Sequence, residues 1–347
     1  MTYSTRASDT PLLSIVTPIK NGLRFLPACL ASVDRLRRSG APIEHIVIDG
    51  GSTDGTLDLL ERHGRATVVV LPSLPADRAT LAGTERSRGR FIFLLMSDDE
   101  LTESFSSFLE AVATSPEPID LALADCRMVD ELAQRPDRML HYPRSIADIL
   151  HGYPGLNSAL VARRLWKATI FPENLPLTND RLLMLSFFVA CRAIMVWRRP
   201  IATMRAHDAS RTHAQGRDVG AIKRELNRAA LDLLAQNAGG PCEAVLSVSA
   251  WRSALSLVKE RMMARAGGGA SSIWRRQANL ATHWPAPASL RLVPRGLMEL
   301  WQGRDRLFAP VSAETPTLAI PRLRGLRSGA TVANDPTSLR GRQTTAC

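Results

Sequence analysis

The chain has 347 residues, 45% of them apolar, enough to bury a full-sized core in one large or two modest domains. Its formal charge of +11 is uneven: from Gly216 onward there are 19 Lys/Arg against 9 Asp/Glu, whereas the first 215 residues hold 25 against 24. A membrane-spanning protein is excluded, because no segment approaches the ~20 consecutive apolar residues needed. A disulfide scaffold or zinc finger is also excluded: the five cysteines (29, 126, 191, 242 and 347) share no close spacing and form no CxxC. They read as reduced structural thiols in a cytosolic protein, and the polar stretch Met1 to Thr10 lacks the apolar core of a signal peptide.

Leu12 to Pro18 predicts a first strand, stopped by the proline, and Asn21-Gly22 a turn. Phe25, Leu26, Cys29, Leu30, Val33 and Leu36 then recur at helical spacing. Ile43 to Asp49 predicts a second strand ending on an acid, followed by the loop Gly50 to Thr56 and a short helix, Leu57 to His63. Ala66 to Leu71 predicts a third strand, and Asp77 to about Ser87 a helix. Phe91 to Met96 is an unbroken apolar run of the kind that fills a strand buried on both faces, and it ends on Ser97-Asp98-Asp99. A helix follows from Glu103 to Ala113, with Phe105, Phe108, Leu109 and Val112 on one face. Such alternation predicts an α/β fold with parallel strands joined by right-handed crossovers.

In open α/β sheets ligands bind beyond the carboxyl ends of the strands. Asp49, Asp54 and the pair Asp98/Asp99 all fall there and are expected to converge on one edge. Adjacent carboxylates repel unless a cation or hydroxyl groups compensate them, which suggests a divalent metal carrying a phosphate-bearing substrate. The alternative is a polar loop in which Asp98 or Asp99 caps the next helix. Neither GxGxxG nor GxxxxGK[ST] occurs here, which argues against a dinucleotide-dependent oxidoreductase.

Three segments in this order carry a resemblance: Val16-Thr17-Pro18-Ile19-Lys20-Asn21, then Ile48 to Thr56, then Arg88 to Asp99. Together they resemble the GT-A fold glycosyltransferases of family 2, inverting enzymes that use nucleotide-diphosphate sugars, over roughly Leu12 to His213. The resemblance implies a Rossmann-like, mostly parallel central sheet flanked by helices. It also implies that Thr17 and Pro18 line the nucleobase pocket, that Asp49 and Asp54 contact base and ribose, and that Asp98 lies beside the ribose or sugar. Asp99 is then the ligand to Mg²⁺ or Mn²⁺. Two departures stand out: Gly50 where family members often carry a second acid, and Leu81-Ala82 where a polar or basic pair is usual before Gly83.

Farther on, Asp120 to Val129 predicts another strand, and the irregular stretch Gln134 to Ile149 is a candidate for acceptor recognition. Thr178 is a plausible N-cap for a helix with an apolar face from Leu182 to Val189, which puts Asp180 in its first turn. There it either complements the helix dipole or, as the resemblance implies, serves as the catalytic base. Arg192 to Arg199 predicts a strand, followed by Arg205, His207 and Arg211. By the same resemblance His207, with His213 as its rival, completes the metal or diphosphate site, and Arg205 offers charge to phosphate.

The organisation expected is a catalytic domain over 1–215, a basic helical appendage over 216–310 and a disordered tail over 311–347. The appendage mixes Trp274, Trp284 and Trp301 with arginines, a pattern suited either to an anionic membrane surface or to a solvated basic face. The resulting expectation is a cytoplasmic, metal-dependent transferase, peripheral on the inner membrane face if those helices bind lipid. It would move a sugar to a hydroxyl on a saccharide or lipid-linked saccharide, in surface polysaccharide or glycolipid biosynthesis, with no nucleic-acid partner. The competing expectation is a nucleotide-sugar-binding scaffold or regulator without turnover.

Overall fold

A computed structural model describes residues 10–131, 136–142, 156–168, 183–184, 186–187, 190–208 and 317–319. Asp180, Arg211, His213 and the whole basic appendage lie outside the described residues.

The first half follows the predicted alternation closely: β1 (Leu13–Ile19), α1 (Leu26–Arg38), β2 (Ile43–Asp49), α2 (Thr56–His63), β3 (Thr67–Val70), α3 (Ala76–Arg86) and β4 (Phe91–Leu94). After it come β5 (Glu100–Leu101), α4 (Ser104–Ala113), β6 (Leu121–Asp130), β7 (Arg138–Leu140) and a 3-10 turn (Leu156–Ser158). The last elements are β8 (Ala159–Ala162), α5 (Arg163–Ala168), β9 (Ile194–Ala206) and β10 (Thr317–Ala319). Helix α1 buries Leu26, Cys29, Leu30, Val33 and Leu36, the spacing read from the sequence, and carries Arg35, Arg37 and Arg38 against the negative end of its dipole. Helix α2 begins and ends on glycines in the left-handed region, Gly55 (φ 92) and Gly64 (φ 64).

Among the described residues ten strands form one sheet in the order β10-β9-β6-β8-β4-β1-β2-β3, with β5 paired to β9 and β7 to β6. Strands β1 to β4 are parallel, whereas β8 runs antiparallel to both β4 and β6, so the sheet is mixed. The order 4-1-2-3 places a switch point between β1 and β4, where the chain leaves in opposite directions and opens a crevice at the strand ends. One face of the sheet packs on α1, α2 and α4 through Leu13, Ile15, Val47, Leu60, Phe93, Phe105 and Phe108. The other packs on α3 through Ile46, Ile48 and Ala79.

Two segments differ from the sequence expectation. Strand β9 does not stop at Arg199 but continues through Pro200 to Ala206. The proline is accommodated where the register with β6 shifts, opposite Asp125, and its carbonyl accepts from the hydroxyls of Thr102 and Ser104. The stretch expected to be irregular contains β7, and its Tyr142 is buried, its N–H donating to Asp125 Oδ1 at 3.2 Å. Cys29, Cys126 and Cys191 are buried and form no disulfide among the described residues.

Gly89 shows how tightly the β3–β4 connection seats on β1. A Cβ at this position would lie 2.5 Å from Ser14 N, and the real N–H donates to Ser14 Oγ at 2.8 Å. The obstacle is strand backbone, which cannot swing aside, so Gly89→Ala is expected to cost about 3 kcal/mol, the upper range for overpacking. A urea melt of the full chain measures it.

His45 supplies a second prediction. It is 2% exposed on β2 and shares a 3.0 Å hydrogen bond with Thr17 Oγ1. Burial first, then the charges of Arg37 and His63, lower its pKa from 6.5 to about 3. Below pH 6.5 the unfolded chain therefore binds a proton that the folded chain refuses, and stability falls as pH falls. The expected slope is about 1.4 kcal/mol per pH unit between pH 6 and 4. Asp99, whose carboxyl is raised, pulls the other way, so the reading is taken as a difference between wild type and His45→Gln. The gap between the two stability profiles should change steadily across that window.

Candidate active site

The crevice at the switch point is walled by the loops that follow β1, β2 and β4. The first two are stitched together. Asn21 N–H donates to Ser52 Oγ (2.8 Å), Thr53 N–H to Asn21 Oδ1 (2.8 Å), Gly22 N–H to Thr56 Oγ1 (3.1 Å) and Leu23 N–H to Asp54 Oδ2 (3.0 Å). The loop after β4 comes close at Gly22, where a Cβ would lie 3.3 Å from Ser97 Oγ.

The acids expected to form one row have separate tasks. Asp49 is fully buried, and its carboxylate accepts from Gly51 N–H (2.8 Å), Ser52 N–H (2.7 Å) and Ser52 Oγ (2.6 Å), holding its own loop. Asp54 Oδ1 accepts from Thr56 N–H and Thr56 Oγ1, so this carboxylate opens α2 and anchors the β1 loop. Burial pushes the Asp54 carboxyl up, but the bonds from Thr56 and Leu23 together outweigh it and keep the group below its usual value. Thr17, expected in a nucleobase pocket, turns instead toward His45 in the layer under α1, and Pro18 is buried beside it. Among the described residues no three His, Cys, Asp or Glu side chains gather closely enough to cage an ion by themselves.

Asp98 and Asp99 face in opposite senses. Asp99 is 3% exposed; its Oδ2 accepts from Asn157 Nδ2 at 2.5 Å and its Oδ1 from Arg205 N–H at 3.1 Å. Burial, and next the charge of Asp98, push its carboxyl well above the ordinary range, although the two hydrogen bonds oppose them. Asp99, expected to hold the metal, accepts one hydrogen bond from the protein on each of its oxygens. Asp98 is the outward member. Its side chain is 30% exposed, and Oδ2 lies 3.0 Å from Nε2 of His207, a side chain that is only 6% exposed. Asp98 likewise does not cap the next helix, which begins at Ser104 after Glu103.

His207 arrives at the end of β9 and packs against Phe25, with ring centroids 4.4 Å apart. Around it runs an ion network. Arg205 pairs with Glu100 and with Glu131 (2.9 Å), while Arg24 spans Glu131 (3.2 Å) and Asp208 (3.2 Å). Arg205 was expected to meet phosphate, but its guanidinium is committed to these carboxylates. Extension of β9 through Pro200 puts it there. Asp98 meets no guanidinium among the described residues; its bonding partner is His207.

The donor chemistry of Asp98 and His207 fits a hard divalent cation. Mg²⁺ takes ligands at about 2.1 Å in an octahedron, which separates neighbouring donors by about 3 Å, and it is commonly held by one or two protein groups plus substrate phosphates. The 3.0 Å between Asp98 Oδ2 and His207 Nε2 is a direct hydrogen bond, which a cation held by these two side chains would replace. Sequence reading found His207 but missed Asn157, a polar residue ahead of the apolar run that forms β8.

Comparison with known proteins gives a consistent result. The family model described as glycosyl transferase family 2 matches residues 14–153. PGL/p-HBAD biosynthesis glycosyltransferases of Mycobacterium bovis and Mycobacterium tuberculosis are 30% identical over 131 residues, covering 34% of this chain and 48% of theirs. TuaG of Bacillus subtilis, named for teichuronic acid biosynthesis, is 36% identical over 95 residues, 26% of this chain and 37% of its own. The chain thus spans about half the length or less of these curated relatives. Among solved structures, S. aureus TarS 1-349 shares the fold with a TM-score of 0.57 at 15% identity, over 91% of this chain and 97% of that one. Its complex with UDP-GlcNAc gives 0.52 at 16% identity, over 67% and 70%.

Proposed function

We propose that this chain, whose residues 14–153 match the family model described as glycosyl transferase family 2, transfers a sugar from a nucleoside diphosphate sugar to a hydroxyl acceptor, assisted by Mg²⁺ or Mn²⁺ on Asp98 and His207. The observation that carries this reading is the 3.0 Å approach of a part-exposed carboxylate to a buried imidazole at the switch-point edge of the sheet. When bound, the cation supplies electrostatic stabilisation of the charge that develops on the leaving diphosphate. Asp98 and His207 would hold it. Asp49 and Asp54 act by shaping the loops that floor the nucleotide site, since their carboxylates bind those loops. Asp180 is assigned from the sequence alone as the base that takes the acceptor proton, in a single displacement that inverts the anomeric carbon.

The ion network around Arg205 and Arg24 fixes the wall of the site, and Asp98, part-exposed and bonded to His207, adds a carboxylate that favours a cation and disfavours a bare diphosphate. Relatives named for PGL/p-HBAD and teichuronic acid biosynthesis support a role in building a surface glycan or glycolipid. No helix of the described residues is long and apolar enough to cross a membrane. The basic C-terminal sequence supports attachment to the inner membrane face.

A thermal-shift panel of UDP, GDP and dTDP, each with and without Mn²⁺, tests the reading. Ligand at about a hundred times its Kd adds about 2.7 kcal/mol to the folded state, a rise of several degrees. One diphosphate is expected to produce it only with Mn²⁺, and EDTA should reverse it. Flat curves across the panel would remove the nucleotide from the account.

A further inference from the structure

Asp125 is a buried carboxylate that the proposed chemistry does not use. It is 3% exposed and sits where the register between β6 and β9 shifts. Its Oδ1 accepts from Tyr142 N–H at 3.2 Å and its Oδ2 from His141 Nδ1 at 3.1 Å. A carboxylate offers only acceptors, so in the neutral imidazole Nδ1 carries the hydrogen and the lone pair lies on Nε2. The His141 side chain is 45% exposed, against 4% for that of Asp125. Strand pairing fixes where this dyad lies. Strand β9 takes one edge of β6 over its whole length, so β8 and β7 share the other edge. On it β8 pairs with Leu121 to Leu123, and β7 with Cys126 to Met128. His141, leaving β7, and the turn Leu156–Ser158, entering β8, therefore both reach the gap beside Ala124 and Asp125. There Cys126 Sγ donates to the Asn157 carbonyl at 3.3 Å, and Asn157 Nδ2 donates to Asp99. Val161 faces both Ile92 of β4 and Leu121 of β6, which sets Asp125 past the end of β4, on the edge that bears Asp98 and Asp99.

We propose that His141, oriented by Asp125, binds a hydroxyl of a saccharide acceptor, one other than the hydroxyl that reacts. The inference rests on the sugar-transfer reading given above and adds an acceptor contact to it. The lone pair on Nε2 needs a group that brings a hydrogen. A sugar hydroxyl brings one, whereas an ionised phosphate presents only acceptor oxygens. Asp125 holds the ring in one tautomer and one orientation before the acceptor arrives, as a buried acid behind an imidazole does in other active sites. The register shift at Asp125 is the kind of irregularity by which a strand re-aims a side chain, here onto the segment that follows β7. That segment is a connection at the strand-end edge, where scaffolds of this type commonly contact the variable partner.

The test is transfer by the full chain from UDP-, GDP- and dTDP-linked sugars to a panel of p-nitrophenyl glycosides, with acceptor KM and kcat measured separately. His141→Asn keeps an NH₂ for Asp125 Oδ2 but has no atom where Nε2 stood. It is expected to raise acceptor KM about tenfold, the worth of one hydrogen bond, while kcat, Tm and the nucleotide-induced thermal shift stay near wild type. Asp125→Asn keeps its oxygen for Tyr142 N–H and turns its NH₂ toward Nδ1, which must then accept, so the hydrogen moves to Nε2. Acceptor KM should rise similarly, and nitrogen NMR of the imidazole should show the tautomer exchanged. If Asp125→Asn does not fold, His141→Asn carries the test, because it leaves the buried carboxylate satisfied. A folded His141→Asn with the wild-type acceptor KM overturns the proposal, as does a wild-type imidazole that carries its hydrogen on Nε2. A wild type that consumes donor but transfers to no glycoside overturns it too, since a saccharide is what the dyad is said to take. Failure of the sugar-transfer reading looks different: no nucleotide would shift the melting curve and no donor would be consumed. The acceptor contact then has no reaction to serve and falls with it.

Discussion

Asp98→Ala is expected to lower kcat/KM for sugar transfer about a thousandfold or more, with little change in Tm. The leaving diphosphate develops charge that a bound cation stabilises by several kcal/mol, and each 1.36 kcal/mol of barrier is a factor of ten. Removing Asp98 takes away the part-exposed carboxylate beside His207 that would hold the cation. The stability cost stays small because the side chain is 30% exposed and its bonding partner is the His207 imidazole. Asp99→Ala should behave oppositely. It strips two buried hydrogen bonds and leaves the Asn157 amide and the Arg205 N–H facing an empty space, so Tm falls and activity falls with the folded fraction. The two profiles side by side, turnover against Tm, decide which aspartate meets the ion. An Asp98→Ala enzyme within tenfold of wild type would defeat the assignment.

What could be read in advance, and what could not, divides along the range of the interactions. Helix α1 was legible because Leu26, Cys29, Leu30, Val33 and Leu36 repeat at its period and Gly40 follows its end. Strand β4 was legible because a run buried on both faces must be apolar throughout. These depend on neighbours a few residues away. The facing of Asp98 and Asp99 does not. Both sit in the turn after β4, where no alternation fixes which side chain looks outward. The choice is made by Asn157, 58 residues on, and by Arg205, 106 residues on. The bonding of Asp49 was hidden for a related reason: an acid at a strand end can serve a ligand or its own loop, and here Gly51 and Ser52 supply donors locally. The length of β9 was hidden by Pro200, which by itself signals a stop. Only the register shift in β6 and the donors from Thr102 and Ser104 let the strand pass it.

Asp180→Asn is expected to lower kcat about 10²–10⁴-fold while leaving the nucleotide-induced thermal shift intact. Residue 180 lies outside the described residues, so the argument is chemical. An acceptor hydroxyl is a weak nucleophile at neutral pH, and its proton must leave as the bond to the anomeric carbon forms. Asparagine matches aspartate in shape and can still accept a hydrogen bond from that hydroxyl, but it cannot take the proton. Acceptor KM should therefore move little, and the loss should fall on kcat. In wild type kcat should rise with pH as the base ionises, and that limb should vanish in the variant. The same measurement separates an enzyme from a scaffold that only binds nucleotide sugar. A scaffold shows the Mn²⁺-dependent thermal shift in both forms and turnover in neither, whereas an enzyme loses turnover alone. If the variant kept both kcat and the pH limb, the proton would have to leave to another group, and the base would have to be sought among the carboxylates that already line the crevice.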